Sequence, residues 1–233
     1  MKTIGLLGGM SFESTLNALR DIHAGVRARL GGQHSPRILM ESVDFADLNS
    51  CLAAGDWDGV ADLLCPAAAR IAGAGADFLL VCSNTVHNVY DAVAAAVSIP
   101  VVHIADAAAR GVAAAGLSRV GLLGTRATME MDFYSGWLAR KHGISVLIPE
   151  AEDRGMIDRV IFEELCQGRI TAASRREYER VVGELAGRGA QGVILGCTEI
   201  AMLLPPAESE LPLFDTAALH AAMAVDMALC GDG

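Results

Sequence analysis

The sequence predicts an α/β protein of two pseudo-symmetric halves, each a four-stranded, mainly parallel sheet flanked by helices. Three observations carry this prediction. Short apolar runs alternate with longer Ala-rich stretches from end to end, the pattern that crossover connections produce. Runs such as Phe78-Leu79-Leu80-Val81 are continuously apolar, which suits strands covered on both faces. Segments also recur in order at nearly constant offset. Ile4-Gly5-Leu6-Leu7-Gly8 returns as Val120-Gly121-Leu122-Leu123-Gly124. Val81-Cys82-Ser83-Asn84-Thr85 is echoed by Leu195-Gly196-Cys197-Thr198-Glu199, and Ile99-Pro100-Val101 by Leu211-Pro212-Leu213.

In chain order, strands are expected at Lys2–Leu7, Arg37–Val43, Asp77–Cys82, Pro100–Ile104, Arg119–Gly124, Ser145–Ile148, Gly192–Gly196 and Leu211–Phe214. Each is short, rich in Leu or β-branched residues, and bounded by Gly, Pro or charge. Helices fill the intervals near 12–31, 56–74, 84–97, 105–115, 127–142 and 216–230. Asp153 to Cys166 forms another, closed by Gly168. Ser174-Arg175-Arg176-Glu177 has the form of a capping box, which starts a helix running to about Gly187. The halves are expected at 1–105 and 106–215, with the terminal helix, 216–233, packing back onto the first. No Gly-, Ser- or Pro-rich linker divides them, so the site is expected in the cleft between them, at the carboxyl ends of the strands.

A chain of 233 residues can bury a core without disulfides or metals. With 52% hydrophobic but only 5% aromatic residues, that core is built from Ala, Val, Leu and Ile. The net charge of −10 argues against nucleic acid and against a polybasic membrane surface. No apolar run reaches the ~18 residues of a membrane span, and the N-terminus opens on a strand rather than a signal peptide. Cys51, Cys65, Cys166 and Cys230 show no metal-ligand spacing, so no metal site is expected. The cysteine usage reads as that of a reduced, cytoplasmic protein. Glu41, Asp44, Asp47, Asp56, Asp58 and Asp62 read as solvated helix and loop faces.

Four segments hold candidate chemistry. Gly8-Gly9-Met10-Ser11 joins the first strand to a helix and is neither a dinucleotide fingerprint nor a phosphate loop. It is either a nest of backbone N–H groups for a small anion or a tight turn that needs glycine. Ser83-Asn84-Thr85-Val86-His87 offers short polar side chains at a strand end, for substrate hydrogen bonds or for helix capping. Adjacent strand residues point to opposite faces, so only one of Cys82 and Ser83 faces the site; Ser83 is placed there because the repeat aligns it with Cys197. His87 could share the helix face of Ser83, but a surface or structural role is the reading taken. Gly124-Thr125-Arg126-Ala127-Thr128 is the second-half Gly turn, its threonines binding carboxylate or capping a helix. Cys197 ends an apolar strand and is expected to open a helix, whose N–H groups would lower the thiol pKa while Glu199 opposes them. Its alternative is a buried core cysteine.

These residues resemble the cofactor-independent aspartate/glutamate racemase superfamily. Ser-Asn-Thr-x-His at 83–87 and Gly-Cys-Thr-Glu at 196–199 carry the resemblance, together with the stretches 8–15, 124–130, 162–166 and 214–220. The resemblance implies two opposed acid/base residues at Ser83 and Cys197. It implies substrate-carboxylate binding by Asn84, Thr85, the Thr125 turn and Thr198; Gly9, Met10, Ser11, Thr128 and Glu199 complete the expected substrate-binding set from the turns themselves. It also implies an amino-acid substrate, no cofactor and a homodimer. Ser83 departs from the family, which usually has cysteine there. A hydroxyl is a weaker acid than a thiol, so proton transfer is expected to differ by direction. No Lys or Arg lies between Arg37 and Arg70, so a substrate side-chain carboxylate would need a cation such as Arg126 or Arg154, and neutral amino acids stand beside aspartate and glutamate as expected substrates. Two rivals remain: a single-cysteine decarboxylase or isomerase acting through an enediolate, and a binding protein that has lost catalysis.

Overall fold

The computed structural model describes residues 1–230, and the expected tail at 231–233 lies outside the described residues. Two compact units are present. One comprises Met1–Ile104 with the described residues from His220 onward, and the other Ala105–Leu219.

In the first unit, strand β1 (Thr3–Gly8) leads to helix α1 (Phe12–Leu30), β2 (Arg37–Ser42), α2 (Phe45–Ala54), α3 (Trp57–Gly73) and β3 (Phe78–Val81). A short 3-10 turn, Thr85–Val89, precedes α4 (Tyr90–Ala95) and β4 (Val101–Val102). The sheet is wholly parallel in the order β2-β1-β3-β4. Ile4, Leu6, Phe78, Leu80 and Cys82 pack on one face against Ile22 and Val26 of α1. Leu7, Leu79 and Val81 pack on the other against Val60, Leu64 and Ile71 of α3. Burial on both faces is why these strands read as unbroken apolar runs.

Helix α5 (Ile104–Ala114) leads into the second unit, which repeats the plan. β5 (Arg119–Gly124), α6 (Arg126–Glu130), α7 (Asp132–His142), β6 (Ser145–Leu147), α8 (Ala151–Glu163) and α9 (Ala172–Gly187) are followed by β7 (Val193–Gly196), α10 (Ile200–Leu203) and β8 (Leu213–Asp215). The order is β6-β5-β7-β8, again all parallel. Leu123, Val193 and Leu195 share a core with Ile157 of α8 and with Tyr178, Val181 and Leu185 of α9. The last helix, α11 (Thr216–Leu229), supplies Ala221, Ala224, Val225 and Ala228 to the α1 face of the first sheet.

The structure amends several local expectations. α2 falls where no helix was expected: Asp44 and Asp56, exposed as expected, also serve as N-caps, accepting from the Ala46 and Gly59 N–H groups. Glu41 pairs with Arg70. The expected helix at 127–142 is two, because Met131 takes an extended conformation that interrupts the ladder. α9 starts earlier, at Thr171: its hydroxyl caps Ser174 N–H, and Ser174 Oγ donates to Glu164 instead of acting as the cap. β4 shrinks to two residues because α5 claims Ile104.

Buried imidazoles gather at the edge of the first sheet. His87, His103 and His220 are each almost fully enclosed. The His220 ring donates to the Val102 carbonyl at 3.1 Å. Burial, aided by the adjacent His87 ring, pulls His220 down to a pKa of about 3 from 6.5. Between those values the unfolded chain binds a proton that the folded chain refuses, so stability falls as pH drops through the window. The slope from this one group approaches about 1.4 kcal/mol per pH unit. Urea unfolding of wild type and His220→Gln at about pH 7.5 and about pH 5 checks this. The variant is expected to lose distinctly less stability on acidification.

Candidate active site

In both sheets the chain order reverses beside the first strand, between β1 and β3 and between β5 and β7. Ligands of open α/β sheets bind outside the carboxyl ends of strands at such switch points. The candidate residues sit at those ends. Leu7 pairs with Val81, and Leu123 with Leu195. Two residues beyond each partner come Ser83 and Cys197, so they hold equivalent positions in the repeated sheets.

At the first strand end, Gly9 has φ +91°, and a Cβ there would collide with the Val43 backbone. A Cβ on Gly8 would lie 2.5 Å from Thr15. The Gly9 N–H donates to Thr15 Oγ1 at 2.9 Å, and Thr15 in turn donates to the Ser11 carbonyl. Ser11 caps α1 through Ser14 N–H, and the Met10 side chain lies in the apolar core. Of the two readings for this segment, the tight turn accounts for Gly9 and Met10. The Gly9 donor is committed to Thr15, so an anion nest would have to do without it.

Ser83 follows β3 and is partly exposed, while Asn84 is buried and Thr85 partly so. Asn84 stands at the capping position of the 3-10 turn, but its side chain does not cap it. Cys82 faces the α1 side of the sheet, and burial raises its thiol to about 12, the state of an inert core cysteine. His87 lies at 2.7 Å from the Ser83 carbonyl through Nδ1 and at 3.2 Å from the Ile104 N–H through Nε2.

At the second strand end, Thr125 caps α6 by accepting from Thr128 N–H, and the two hydroxyls lie 3.1 Å apart. Gly124 and Gly196 are register partners, and a Cβ on either would come within 2.9 Å of the other strand's backbone. Their bareness lets the Thr125 turn and the Cys197 turn leave adjacent strands side by side. Cys197 Sγ donates to Glu199 Oε2 at 3.0 Å, and Thr198 Oγ1 donates to the same oxygen at 2.6 Å.

Cys197 is buried, and its pKa is raised well above the ordinary thiol value. Burial is the main cause; the Glu199 charge and the Cys166 thiol add to it. This corrects the expected depression by a helix N-terminus. α10 has only four residues and starts beyond Cys197, so its partial charge is small beside desolvation and a carboxylate. Arg154 is committed to Glu130 at 2.7 Å and to the Pro149 carbonyl, whereas Arg126, beside Thr125, is exposed. The expected opposition of Glu199 to the thiolate takes the form of a direct contact, the carboxylate turning back across the strand-end turn onto the sulfur.

These features define a class: a duplicated parallel α/β protein with a serine, a cysteine and hydrogen-bonding side chains at matching strand ends. Residues 7–224 match the Asp/Glu/hydantoin racemase family. A candidate Asp/Glu racemase from Yersinia pestis is 48% identical, covers 98% of this chain and 100% of its own, and superposes with a TM-score of 0.91. An aspartate racemase homologue from Pyrococcus horikoshii is 32% identical over 98% of this chain and 99% of its own, with a TM-score of 0.85. An aspartate racemase from Picrophilus torridus, 19% identical, shares the fold over 98% and 94% of the two chains at a TM-score of 0.75. The chain belongs to the Asp/Glu/hydantoin racemase family, a family of isomerases.

The Cys197–Glu199 pair makes a direct expectation. Glu199→Gln removes the charge that opposes thiolate formation, so Cys197 should be alkylated faster by iodoacetamide at neutral pH. Peptide-resolved mass spectrometry separates it from the other five cysteines; an unchanged or slower rate contradicts the electrostatic account.

Proposed function

We propose that this protein is a pyridoxal-phosphate-independent amino-acid racemase of the aspartate/glutamate type. Cys197 serves as thiol acid/base, and Ser83 holds the opposite catalytic position. The observation that carries the reading is the buried thiol donating to Glu199 at the register position equivalent to Ser83. Inversion needs an acid and a base on opposite faces of the α-carbon, and a duplicated strand end supplies two such positions.

Cys197 rests as a thiol, so it becomes a base by passing its proton to Glu199. The thiolate then takes the α-proton while charge grows on the substrate carboxylate, and the Ser83 hydroxyl gives a proton to the opposite face; Glu199 releases its proton to solvent and Ser83 recovers one from solvent. Hydrogen-bond donors aimed at the substrate carboxylate oxygens lower the barrier. Asn84, Thr85, Thr125, Thr128 and the Ser11 turn are the groups proposed for that task. Thr198 supports Glu199 through its hydroxyl. Arg126 is the cation proposed for a substrate side-chain carboxylate, since Arg154 is already neutralised by Glu130. The proposed setting is a homodimer in a reducing cytoplasm, which keeps the thiol unoxidised.

Ser83 gives the reaction a direction. A hydroxyl surrenders its proton less readily than a thiol and makes a poorer resting base. Exchange of the α-hydrogen with deuterated solvent, followed separately for each enantiomer in a screen of the common amino acids without added cofactor, tests this. One enantiomer should exchange faster; equally fast exchange from both would remove the asymmetry. Cys197→Ala should lower turnover by at least about a hundredfold, the scale of a lost general acid/base. A binding protein would keep its function in that variant.

A further inference from the structure

His87 is buried, with 2% of its surface exposed, and both ring nitrogens meet backbone groups of opposite kind. A carbonyl oxygen can only accept, so Nδ1, 2.7 Å from Ser83 O, carries the proton. A backbone N–H can only donate, so Nε2, 3.2 Å from Ile104 N, is bare. The ring is therefore a neutral imidazole in the Nδ1–H form. His103 packs against it with ring centroids 4.7 Å apart, and Tyr90, itself anchored to the Val101 carbonyl, packs on His103 at the same distance. His220 closes the cluster at 6.3 Å and is fixed to the Val102 carbonyl.

We infer that His87 is a positioning residue for Ser83. The inference rests on the racemase reading and deepens it. Ser83 stands past the last paired residue of β3, where no sheet ladder restrains its carbonyl. His87 replaces that restraint: it ties the Ser83 peptide to the first turn of α5 through a ring that its neighbours prevent from turning. A committed proton on Nδ1 and a committed lone pair on Nε2 leave His87 no part in proton transfer. Its contribution is the aim of the Ser83 hydroxyl. The second half has no counterpart: position 201, two beyond Glu199, is Ala201, and Cys197 is oriented by a carboxylate instead.

Two amides divide the functions of the ring. In His87→Asn the amide nitrogen falls near Nδ1 and can still donate to Ser83. In His87→Gln the amide oxygen reaches toward Nε2 and can still accept from Ile104. His87→Leu does neither. The experiment follows α-hydrogen exchange of L- and D-aspartate and of L- and D-glutamate in deuterated buffer, in wild type, the three variants and Ser83→Ala. Thermal denaturation of every variant runs beside it. Ser83→Ala identifies the enantiomer whose exchange depends on position 83. For that enantiomer His87→Leu and His87→Gln should lose at least about tenfold, the scale of a misaimed reacting group, while His87→Asn retains most of the rate. Exchange of the other enantiomer should change far less in all three.

Equal losses for both enantiomers, or rates that follow stability rather than the Asn/Gln distinction, would overturn the role. Two-bond nitrogen–proton NMR correlations of the wild-type imidazole supply a readout independent of activity. The Nδ1–H tautomer is expected, and an Nε2–H or charged His87 would overturn the inference directly. If wild type exchanges neither enantiomer of either amino acid while His87 shows the expected tautomer, the proposed substrate class fails, and the positioning role fails with it. If wild type exchanges and the Ser83-dependent rate ignores His87, only the positioning role fails.

Discussion

The pairing of β1 with β3, repeated in β5 with β7, sets where everything else stands. A parallel ladder is specified one residue at a time, because a slip of one turns every side chain to the other face. Here both faces are buried, so the register is held from two sides. Fixing Leu7 on Val81 places Ser83 just past the ladder, and fixing Leu123 on Leu195 does the same for Cys197. The glycines follow from the same constraint. Gly8 and Gly124 end the neighbouring strands where the chain must turn away within van der Waals distance of Thr15 or of Gly196.

Much of this was legible because burial on both faces leaves a strong trace. Strands such as Phe78–Val81 and Val193–Gly196 must be apolar at every position, and the repeat survived as recognisable runs. The equivalence of Ser83 and Cys197 could therefore be read before the register was known. Helix ends were less legible, since capping competes locally. Ser174 looks like a cap in sequence, but Glu164 takes its hydroxyl from ten residues upstream and Thr171 caps instead. α2 was hidden because its caps are aspartates, which also suit a solvated surface.

The Cys197 environment failed to show in the sequence for a different reason. Its protonation depends on competing magnitudes, not on motif. A helix N-terminus offers about 0.3–1 kcal/mol to a nearby anion, and only over a full turn of aligned peptides. Enclosure in a core with Ile157, Tyr178 and Leu195 acts against the thiolate, and Glu199 at 3.0 Å adds to that. A motif that names Cys, Thr and Glu in order cannot say whether the carboxylate turns outward or back onto the sulfur. Once it turns back, the same group that disfavours the thiolate is also the hydrogen-bond acceptor of the thiol.

The two strand ends thus orient their chemistry by different means. At Cys197 a side-chain carboxylate holds the thiol itself, so its orientation and its protonation are coupled through Glu199. At Ser83 the restraint lies on the backbone carbonyl, through a neutral ring with no proton to give. A hydroxyl gains little from a nearby carboxylate at neutral pH, since its acidity is too weak for the pair to share a proton usefully. What it can gain is direction. Restraining the peptide aims the hydroxyl without asking it to share a proton, whereas a thiol is acidic enough to donate to a carboxylate. The two strand ends therefore share one register and differ in what holds them: a carboxylate on the thiol at one, a neutral ring on the backbone at the other.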